Sequence, residues 1–219
     1  MHFTVKNLIN IQELINSNLI NPTPNKLPKI IAVSKTFGMD KIVPLIEYGH
    51  KDFCENKVQE AIEKWTEIKK INSEIKLHMI GKLQTNKVKF AVQIFDYIHS
   101  VDSEKLAKKI ADEQNKLNKK IKIFLQVNIG NENQKSGINK NDVSRMVSYC
   151  KKIDLDLIGL MCIPPANIDP ENYFKEMNKL NKIFGFSELS MGMSSDFLKA
   201  AKHFSTYVRI GSSIFGQRS

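Results

Sequence analysis

Short apolar runs alternate with longer segments of helical period along most of this chain. Leu8, Ile11 and Ile15 recur at the spacing of one helix face, so residues 3–17 are predicted to form an amphipathic helix. Eight short runs are typical of buried strands: 29–34, 51–54, 75–80, 95–98, 121–127, 155–161, 187–191 and 206–210. Helix-like segments separate them, near 40–48, 57–71, 84–92, 103–118, 140–152, 170–184 and 195–203.

Eight strand–helix alternations predict an α/β protein with a closed (β/α)8 TIM-type barrel and an extra N-terminal helix. A doubly wound open sheet is the alternative, but that fold normally uses fewer strands. No low-complexity segment or linker divides the sequence, so residues 1–219 are predicted to form a single domain. Asp40, Ser103 and either Asn139 or Asn141 are predicted helix N-caps.

Polar and glycine residues follow the predicted strands. The set comprises Lys35, Glu55, Asn56, Gly81, Ser100, Asp102, Asn128, Cys162, Pro164, Ser190–Ser195 and Gly211–Ser213. In a barrel these positions meet at the C-terminal face, where barrel enzymes carry their sites. Turn formation accounts for the glycines and some asparagines, but it does not account for Lys35.

Lys35 ends the apolar stretch IIAVSKT at residues 30–36. A buried ammonium must find partners or lose its proton, and a deprotonated lysine forms imines with carbonyl compounds. The alternative is a lysine whose charged end reaches solvent at the start of a loop. From this stretch alone the second interpretation is favoured.

Two stretches near the C-terminus are suited to phosphate. SMGMSSD at 190–196 and RIGSSIFG at 209–216 offer hydroxyl groups, backbone N–H groups and close backbone approach. They follow predicted strands 7 and 8, the loops in which barrels often bind phosphate. Together they predict a phosphate site, although Gly-Ser alone is a common turn.

Arg209 and His78 lie within apolar strands. The chain uses lysine as its usual cation, so an arginine at 209 indicates a need for planar geometry or permanent charge. A buried ion pair with a carboxylate such as Glu55 is the alternative. Alternation places Lys76, His78 and Ile80 on one face, and His78 is interpreted as a hydrogen-bonded core residue.

Composition and charge narrow the functional classes. The net charge of +10 raises the hypothesis of nucleic-acid binding. However, the lysines are scattered along helical segments without a long basic block, which favours solvated helix faces over a nucleic-acid partner. Three widely spaced cysteines, Cys54, Cys150 and Cys162, suit neither a disulfide framework nor a zinc site.

The histidines also lack metal-ligand spacing, so no metal site is predicted. The N-terminus lacks a signal-peptide pattern, and no apolar stretch approaches the roughly 20 residues of a membrane span. A cytoplasmic monomer is expected.

The stretches above, taken together, resemble the YggS/PROSC family, the pyridoxal phosphate (PLP) homeostasis proteins. The matching residues are AVSKT (32–36), ENKVQE (55–60), HMIGKLQTNK (78–87), IHSVD (98–102), QVNI…KSGI (126–138), GLMCIP (159–164), LSMGMSSDF (189–197) and VRIGSSIFGQR (208–218). They occur in the family's order from the first strand to the C-terminus.

The resemblance implies a barrel like the N-terminal domain of alanine racemase, with PLP bound as an imine to Lys35. It also implies phosphate contacts from Ser194, Gly211 and Ser212, and Arg209 facing the pyridine nitrogen. Asn56 is implied, by its position, to lie beside the ring.

Three residues depart from the family pattern. Cys54 stands where the family usually has glycine, Phe37 where a polar residue often follows Lys-Thr, and Lys82 where proline or histidine is more common. These departures leave the implied cofactor ligands intact but change the entrance of the site.

We expect a PLP carrier or regulator with little or no turnover, with apo PLP enzymes as transient recipients. An arginine cannot give up its proton, so it would keep the pyridine nitrogen unprotonated and weaken the ring as an electron sink.

Racemisation needs an acid/base on each face of the substrate carbon, and related racemases draw the second from an extra domain. This sequence ends ten residues after Arg209. The alternative is an amino-acid racemase in which Tyr207 or His78 replaces that base.

Overall fold

Eight parallel strands close into one barrel, in sequence order, in a computed structural model that describes residues 1–19, 27–132 and 134–217. The strands are β1 Lys29–Val33, β2 Asp52–Glu55, β3 Lys76–Met79, β4 Tyr97–Val101, β5 Lys122–Val127, β6 Asp156–Cys162, β7 Glu188–Met193 and β8 Tyr207–Ile210. The predicted TIM-type barrel is confirmed, and every predicted strand is present with ends that differ by a few residues.

Helices follow the strands around the outside of the barrel. Those in the described ranges are α1 Phe3–Asn18, α2 Met39–Glu47, α3 Val58–Ile71, α4 Val88–Ile94, α5 Glu104–Leu117, α6 Val143–Lys152, α7 Glu171–Ile183, α8 Phe197–Lys202 and α9 Ser212–Phe215. Short 3-10 turns at Thr85–Lys87 and Lys140–Asp142 lead into α4 and α6. Asn133 and Arg218, which belong to the matched motifs, lie outside the described residues.

The cap predictions had mixed outcomes. Ser103 caps α5 by accepting the N–H of Leu106, and Asn139 accepts the N–H of Asn141 at the start of the turn before α6. Asp40 is wrong as a cap, because α2 begins one residue earlier and Gly38 holds the extended cap position. Asp40 lies in the first turn instead, where a carboxylate complements the positive end of a helix.

Strand alternation divides the core into two layers. Ile31 and Val33 of β1 join Tyr97, Phe124 and Met161 inside the barrel. The intervening β1 residues Ile30 and Ala32 belong to the larger cluster between the strands and the helices. Period-2 alternation along each strand therefore decides which side chains can reach the centre of the barrel.

The N-terminal helix adds to the outer layer. Leu8, Ile11 and Ile15 are buried, as the pattern predicts. The helix packs against α2, α8 and α9, and the Asn7 side chain donates a hydrogen bond to the carbonyl of Ile214 in α9 (3.0 Å). None of the helices in the described ranges has the length and apolar character needed to cross a membrane.

Three polar residues expected just after strands lie inside them, as does Ser190, which was placed both in the predicted strand 187–191 and in the phosphate stretch that follows it. Glu55, Ser100, Cys162 and Ser190 are strand residues, and all four are buried. Turn-forming chemistry led the sequence prediction to end these strands early. Ser190 instead satisfies its hydroxyl with partners inside the barrel, at Arg209 and His99.

Candidate functional site

A cavity of about 910 Å³ opens at the C-terminal ends of the strands. Its volume lies within the range of about 300–1,000 Å³ typical of small-molecule sites. The residues proposed from sequence all line it: Lys35, Asn56, Ser194, Arg209, Gly211 and Ser212. The fold thus brings together groups that are up to 177 positions apart, from Lys35 to Ser212.

Lys35 reaches the cavity because of its position in the alternation. Ile31 and Val33 point into the barrel, and Lys35 continues the same parity just beyond the end of β1. Its side chain is partly buried and lines the cavity. The alternative of a lysine simply extending into solvent is therefore disfavoured.

The turn around Lys35 is held from outside the barrel by α3. Lys64 donates to the carbonyl of Ser34 (3.0 Å), and Glu60 accepts the N–H of Thr36 (2.5 Å). Lys64 and Glu60 also form an ion pair (2.6 Å). Burial raises the pKa of Glu60, but hydrogen bonds from Lys64 and Thr36 outweigh it and the net pKa is lowered. Both residues flanking Lys35 are thereby fixed to a rigid helix.

Glu55 supports the same turn from beneath. It accepts hydrogen bonds from the Ser34 hydroxyl (2.8 Å) and the Trp65 indole (3.1 Å). Burial raises its pKa, against the opposing effects of Trp65, Lys64 and Ser34. The proposed ion pair between Glu55 and Arg209 is wrong, since the carboxylate faces α3 and the ion pairs found among the described residues do not include Arg209.

Arg209 is anchored by two neutral groups. Its Nη1 donates to the Ser190 hydroxyl (2.6 Å) and its Nη2 donates to the carbonyl of Cys162 (2.9 Å). The residue is only 3% exposed, yet it lines the cavity. Arg209 pairs with Ile31 across the β8–β1 ladder, so it lies on the strand next to β1, which leads to Lys35. A buried guanidinium fixed in this way presents permanent charge to whatever occupies the cavity.

Ser194 lies against a cradle of backbone N–H groups. Its hydroxyl oxygen accepts the N–H of Gly211 (3.2 Å) and the N–H of Ser213 (3.4 Å). Converging backbone N–H groups of this kind bind anionic oxygens. The loops after β7 and β8 therefore meet, as the sequence predicts, and already hold one oxygen atom there.

An irregularity in β7 helps to aim this loop. The register with β8 shifts between Ser190 and Met193, and Gly192 has a φ of +91°. Glycine adopts such a conformation without strain. Ser190 thus pairs with Tyr207, Met193 pairs with Arg209, and both Met193 and Ser194 line the cavity. Bulges next to functional sites commonly redirect side chains in this manner.

Asn56 is placed by a close backbone approach. A Cβ at Gly81 would lie 2.3 Å from the Asn56 carbonyl oxygen and 2.8 Å from its Cα, so only glycine allows this packing. Asn56 lines the cavity beside Gly81. The backbone of Asn56, just after β2, is thus closely packed against a residue that follows β3.

The three departures from the family pattern have clear positions. Cys54 is buried inside the barrel, and burial raises its pKa well above the usual thiol value. Phe37 is buried and stacks on Phe215 of α9, with ring centroids 4.8 Å apart, which ties the Lys35 turn to the last helix. Lys82 is exposed and lines the cavity, so it adds positive charge at the entrance.

A buried polar line below the cavity was largely missed from the sequence. The prediction of His78 as a hydrogen-bonded core histidine is confirmed, with Asp52 and His99 as its partners (3.0 and 2.9 Å). His99 received no role, although its parity with Tyr97 in the run YIHSV places both inside the barrel. The only role predicted for Ser190 was in a phosphate loop. The available signal was the shared inward parity of His78 and His99 on neighbouring strands.

Comparison with known proteins agrees with this geometry. Residues 16–219 match the family model described as alanine racemase, N-terminal domain. The chain is 32% identical over 225 residues to the pyridoxal phosphate homeostasis protein of Pasteurella multocida, covering 97% of both chains.

Two solved structures extend the comparison. PipY of Synechococcus elongatus, solved with PLP bound, superposes with a TM-score of 0.86 at 29% identity, covering 97% of this chain and all of PipY. An alanine racemase of Clostridium difficile shares the fold, with a TM-score of 0.75 at 18% identity, and the match spans 57% of that enzyme.

Proposed function

This chain belongs to the alanine racemase N-terminal-domain family and, within it, to the pyridoxal phosphate homeostasis proteins, and on that premise we propose that it binds PLP reversibly through Lys35. The observation that carries the proposal is the convergence on one cavity of Lys35, Arg209 and Ser194, whose hydroxyl accepts the N–H groups of Gly211 and Ser213. An amine, a cation and an anion cradle are the three groups that an aldehyde with a pyridine ring and a phosphate requires.

The residues fit the cofactor in separate roles. Lys35 supplies the amine that condenses reversibly with an aldehyde, and α3 fixes both of its neighbours. The N–H groups of Gly211 and Ser213, with the hydroxyls of Ser194 and Ser212, suit the phosphate. Arg209 suits the pyridine nitrogen as a permanent donor, and Asn56 lies at the side of the cavity for contact with the ring.

Bound PLP would supply an electron sink, and Arg209 would limit the strength of that sink. A guanidinium donates to the ring nitrogen without protonating it, which leaves a weaker sink than a pyridinium. We therefore propose a cytosolic PLP carrier with little or no turnover, which holds a reactive aldehyde and releases it to apo PLP enzymes.

The position of the candidate second bases favours this role over racemisation. Neither Tyr207 nor His78 is among the described residues that line the cavity. Tyr207 begins β8 and lies near the Lys29 ammonium at the opposite end of the barrel (3.4 Å), and burial raises its pKa. A proton acceptor there is poorly placed to reach a substrate carbon bound near Lys35.

Borohydride reduction tests the proposal directly. The purified protein, incubated with PLP, should develop visible absorbance, and reduction should leave one adduct that peptide mass analysis assigns to Lys35. Lys35→Ala should abolish the adduct, whereas Lys82→Ala, which removes an exposed lysine at the same entrance, should retain it. A protein that takes up no PLP, or an adduct on another lysine, would refute the assignment. Steady turnover of an amino acid that is lost in Lys35→Ala would refute the carrier role.

A further inference from the structure

Five polar side chains form one continuous line of hydrogen bonds beneath the cavity. Arg209 Nη1 contacts Ser190 Oγ (2.6 Å), and Ser190 Oγ contacts His99 Nδ1 (2.9 Å). His99 Nε2 contacts His78 Nδ1 (2.9 Å), and His78 Nε2 contacts Asp52 Oδ1 (3.0 Å). The line thus joins a cation at the cavity to a carboxylate without a break.

The line runs along the inside of the barrel from one mouth towards the other. Its members come from β8, β7, β4, β3 and β2, and Asp52 is the first residue of its strand. Asp52 lines a second cavity at the opposite end, so it does not share the floor of the Lys35 cavity. Ser190, His99 and His78 are fully buried. A buried polar line of this length is retained only where its groups are satisfied.

The donors and acceptors available at each residue allow only one direction of proton donation along the line. Arg209 can only donate, so the Ser190 oxygen accepts from it. The hydroxyl proton of Ser190 is then donated to His99 Nδ1. Neutral His99 then donates from Nε2 to His78 Nδ1, and neutral His78 donates from Nε2 to the Asp52 carboxylate. The reverse direction would set an unprotonated Nε2 of His78 against that carboxylate.

The protonation states agree with this assignment. Burial lowers the pKa of His99 well below its usual value, and the nearby His78 and Arg209 lower it further. Burial also lowers the pKa of His78, although Asp52 partly opposes this. Burial raises the pKa of Asp52, but the opposing effects, of which the hydrogen bond from His78 is the largest, outweigh it and the net pKa is lowered. Both imidazoles are therefore neutral near pH 7, and Asp52 is ionised.

The rings are also fixed in orientation. His78 stacks on Tyr97 with centroids 4.2 Å apart and an interplanar angle of 10°. His99 stacks on Phe124 at 4.2 Å and 18°. Stacking of this kind resists rotation of the ring, so each nitrogen keeps its partner.

We infer that Asp52, His78, His99 and Ser190 are positioning residues that fix the guanidinium of Arg209 at the cavity. Donation of the Ser190 hydroxyl proton to His99 orients that hydroxyl so that an oxygen lone pair faces Arg209, and the tautomer of His99 depends on His78 and Asp52. The carboxylate at one end of the barrel thereby sets the geometry of the cation at the other. The effect on PLP rests on the proposed function, but the order of protons in the line does not.

The proton order can be measured without PLP. Histidine side-chain 15N NMR of the PLP-free protein near pH 7.5 should show His78 and His99 both neutral and protonated at Nε2. Ser190→Ala, which removes one oxygen atom, should shift the Nδ1 resonance of His99. His203→Gln, a change at a histidine that pairs with Glu171 on the outer helices, assigns its own signal and should leave both buried rings unchanged. A charged imidazole, or a tautomer protonated at Nδ1, at His78 or His99 would refute the proposed order of protons.

PLP titration tests the positioning role separately. Ser190→Ala should weaken PLP binding by about tenfold, the equivalent of ~1.4 kcal/mol, because Arg209 loses one of two anchors. Asp52→Asn, a nearly isosteric change at the far mouth, should weaken it in the same direction but less. In both variants the absorbance band of the Lys35 adduct should move, whereas His203→Gln should keep the wild-type band and affinity.

The outcomes distinguish the two proposals. If wild-type protein and both variants bind PLP with the same affinity and spectrum, the positioning role is wrong while the proposed function stands. If wild-type protein binds no PLP, the proposed function fails and the NMR result still decides the proton order. Variants that lose thermal stability without any movement of the band would assign these residues a purely structural role.

Discussion

Thr36, next to Lys35, adopts a left-handed backbone conformation with a φ of 67°. This region is costly for a β-branched residue, by about 1–3 kcal/mol, and such strain persists only where the surroundings enforce it. Here Glu60 accepts the Thr36 N–H, and Lys64 holds the preceding carbonyl of Ser34. The strain thus marks the turn that presents Lys35.

Glycine at position 36 should therefore be tolerated unusually well. Thr36→Gly relieves the left-handed strain, so the free energy of unfolding of the PLP-free protein should stay equal or rise by up to ~1 kcal/mol. Thr66→Gly is the matched control, because Thr66 lies within α3, where glycine should cost about 1 kcal/mol. Urea unfolding measures both variants. If Thr36→Gly lowered the free energy of unfolding as much as Thr66→Gly does, the backbone of Thr36 would not be strained.

At the scale of elements, the helices differ in what they do for the cavity. α1 packs against α9, which begins at the cavity-lining residue Ser212. Asn7 bonds the carbonyl of Ile214 directly. The N-terminal helix thereby backs the segment whose N–H groups form the cradle.

Two leucines on α1 test this contribution. Leu8 is fully buried, whereas Leu14 on the same helix is 45% exposed. Leu8→Ala should lower the free energy of unfolding by about 2–5 kcal/mol, because it removes buried methyl groups and leaves a cavity. Leu14→Ala should change it by less than about 0.5 kcal/mol. Denaturant unfolding of both variants provides the comparison, and equal losses would show that α1 does not pack as described.

The same scale shows what the sequence could predict. Hydrophobic period and strand count gave the eight strands and their closure, because each signal is local and repeats along the chain. The strand count placed Lys35 at the C-terminal face, whereas the parity of β1 that directs its side chain to the cavity was not used in the prediction. The shift in β7 could not be foreseen, because Gly192 signals a bulge only once its neighbour β8 is known. Ser190 was therefore counted with a phosphate loop as well as with the predicted strand 187–191, and its partners inside the barrel were not foreseen.

At the scale of the whole molecule, the barrel interior is divided by chemistry. Apolar and aromatic residues fill most of it, while one polar line crosses it from Asp52 to Arg209. Partner choice along that line depends on side chains from five strands that are distant in sequence. Alternation indicates which of them face inwards, but it does not indicate which pairs meet. That is why His78 was recognised as a satisfied core residue while its link to Arg209 was not.

The buried histidines should also make the whole fold sensitive to mild acid. Burial lowers the pKa values of His50, His78 and His99 in the folded protein, below the value of about 6.5 expected in the unfolded chain. The stability that these neutral histidines contribute to the folded protein is therefore fully present above about pH 6.5. It is lost as the pH falls below that value, because the unfolded chain takes up protons there more readily than the folded protein does. Glu55 acts with the opposite sign, since its folded pKa is raised and acid favours its folded form.

A single substitution separates these contributions. His99→Phe preserves an aromatic ring against Phe124 but removes one titrating group. The free energy of unfolding should therefore depend less steeply on pH between about pH 5 and 6.5, by up to ~1.4 kcal/mol per pH unit. Urea unfolding of the PLP-free protein across this range measures the slope, and His203→Phe on the outer helices controls for loss of a histidine elsewhere. Because Glu55 is present in all three proteins, its opposite contribution cancels in the comparison. An unchanged slope in His99→Phe would mean that His99 takes up its proton equally well in the folded and unfolded chains, which contradicts a neutral, hydrogen-bonded imidazole in the line to Arg209.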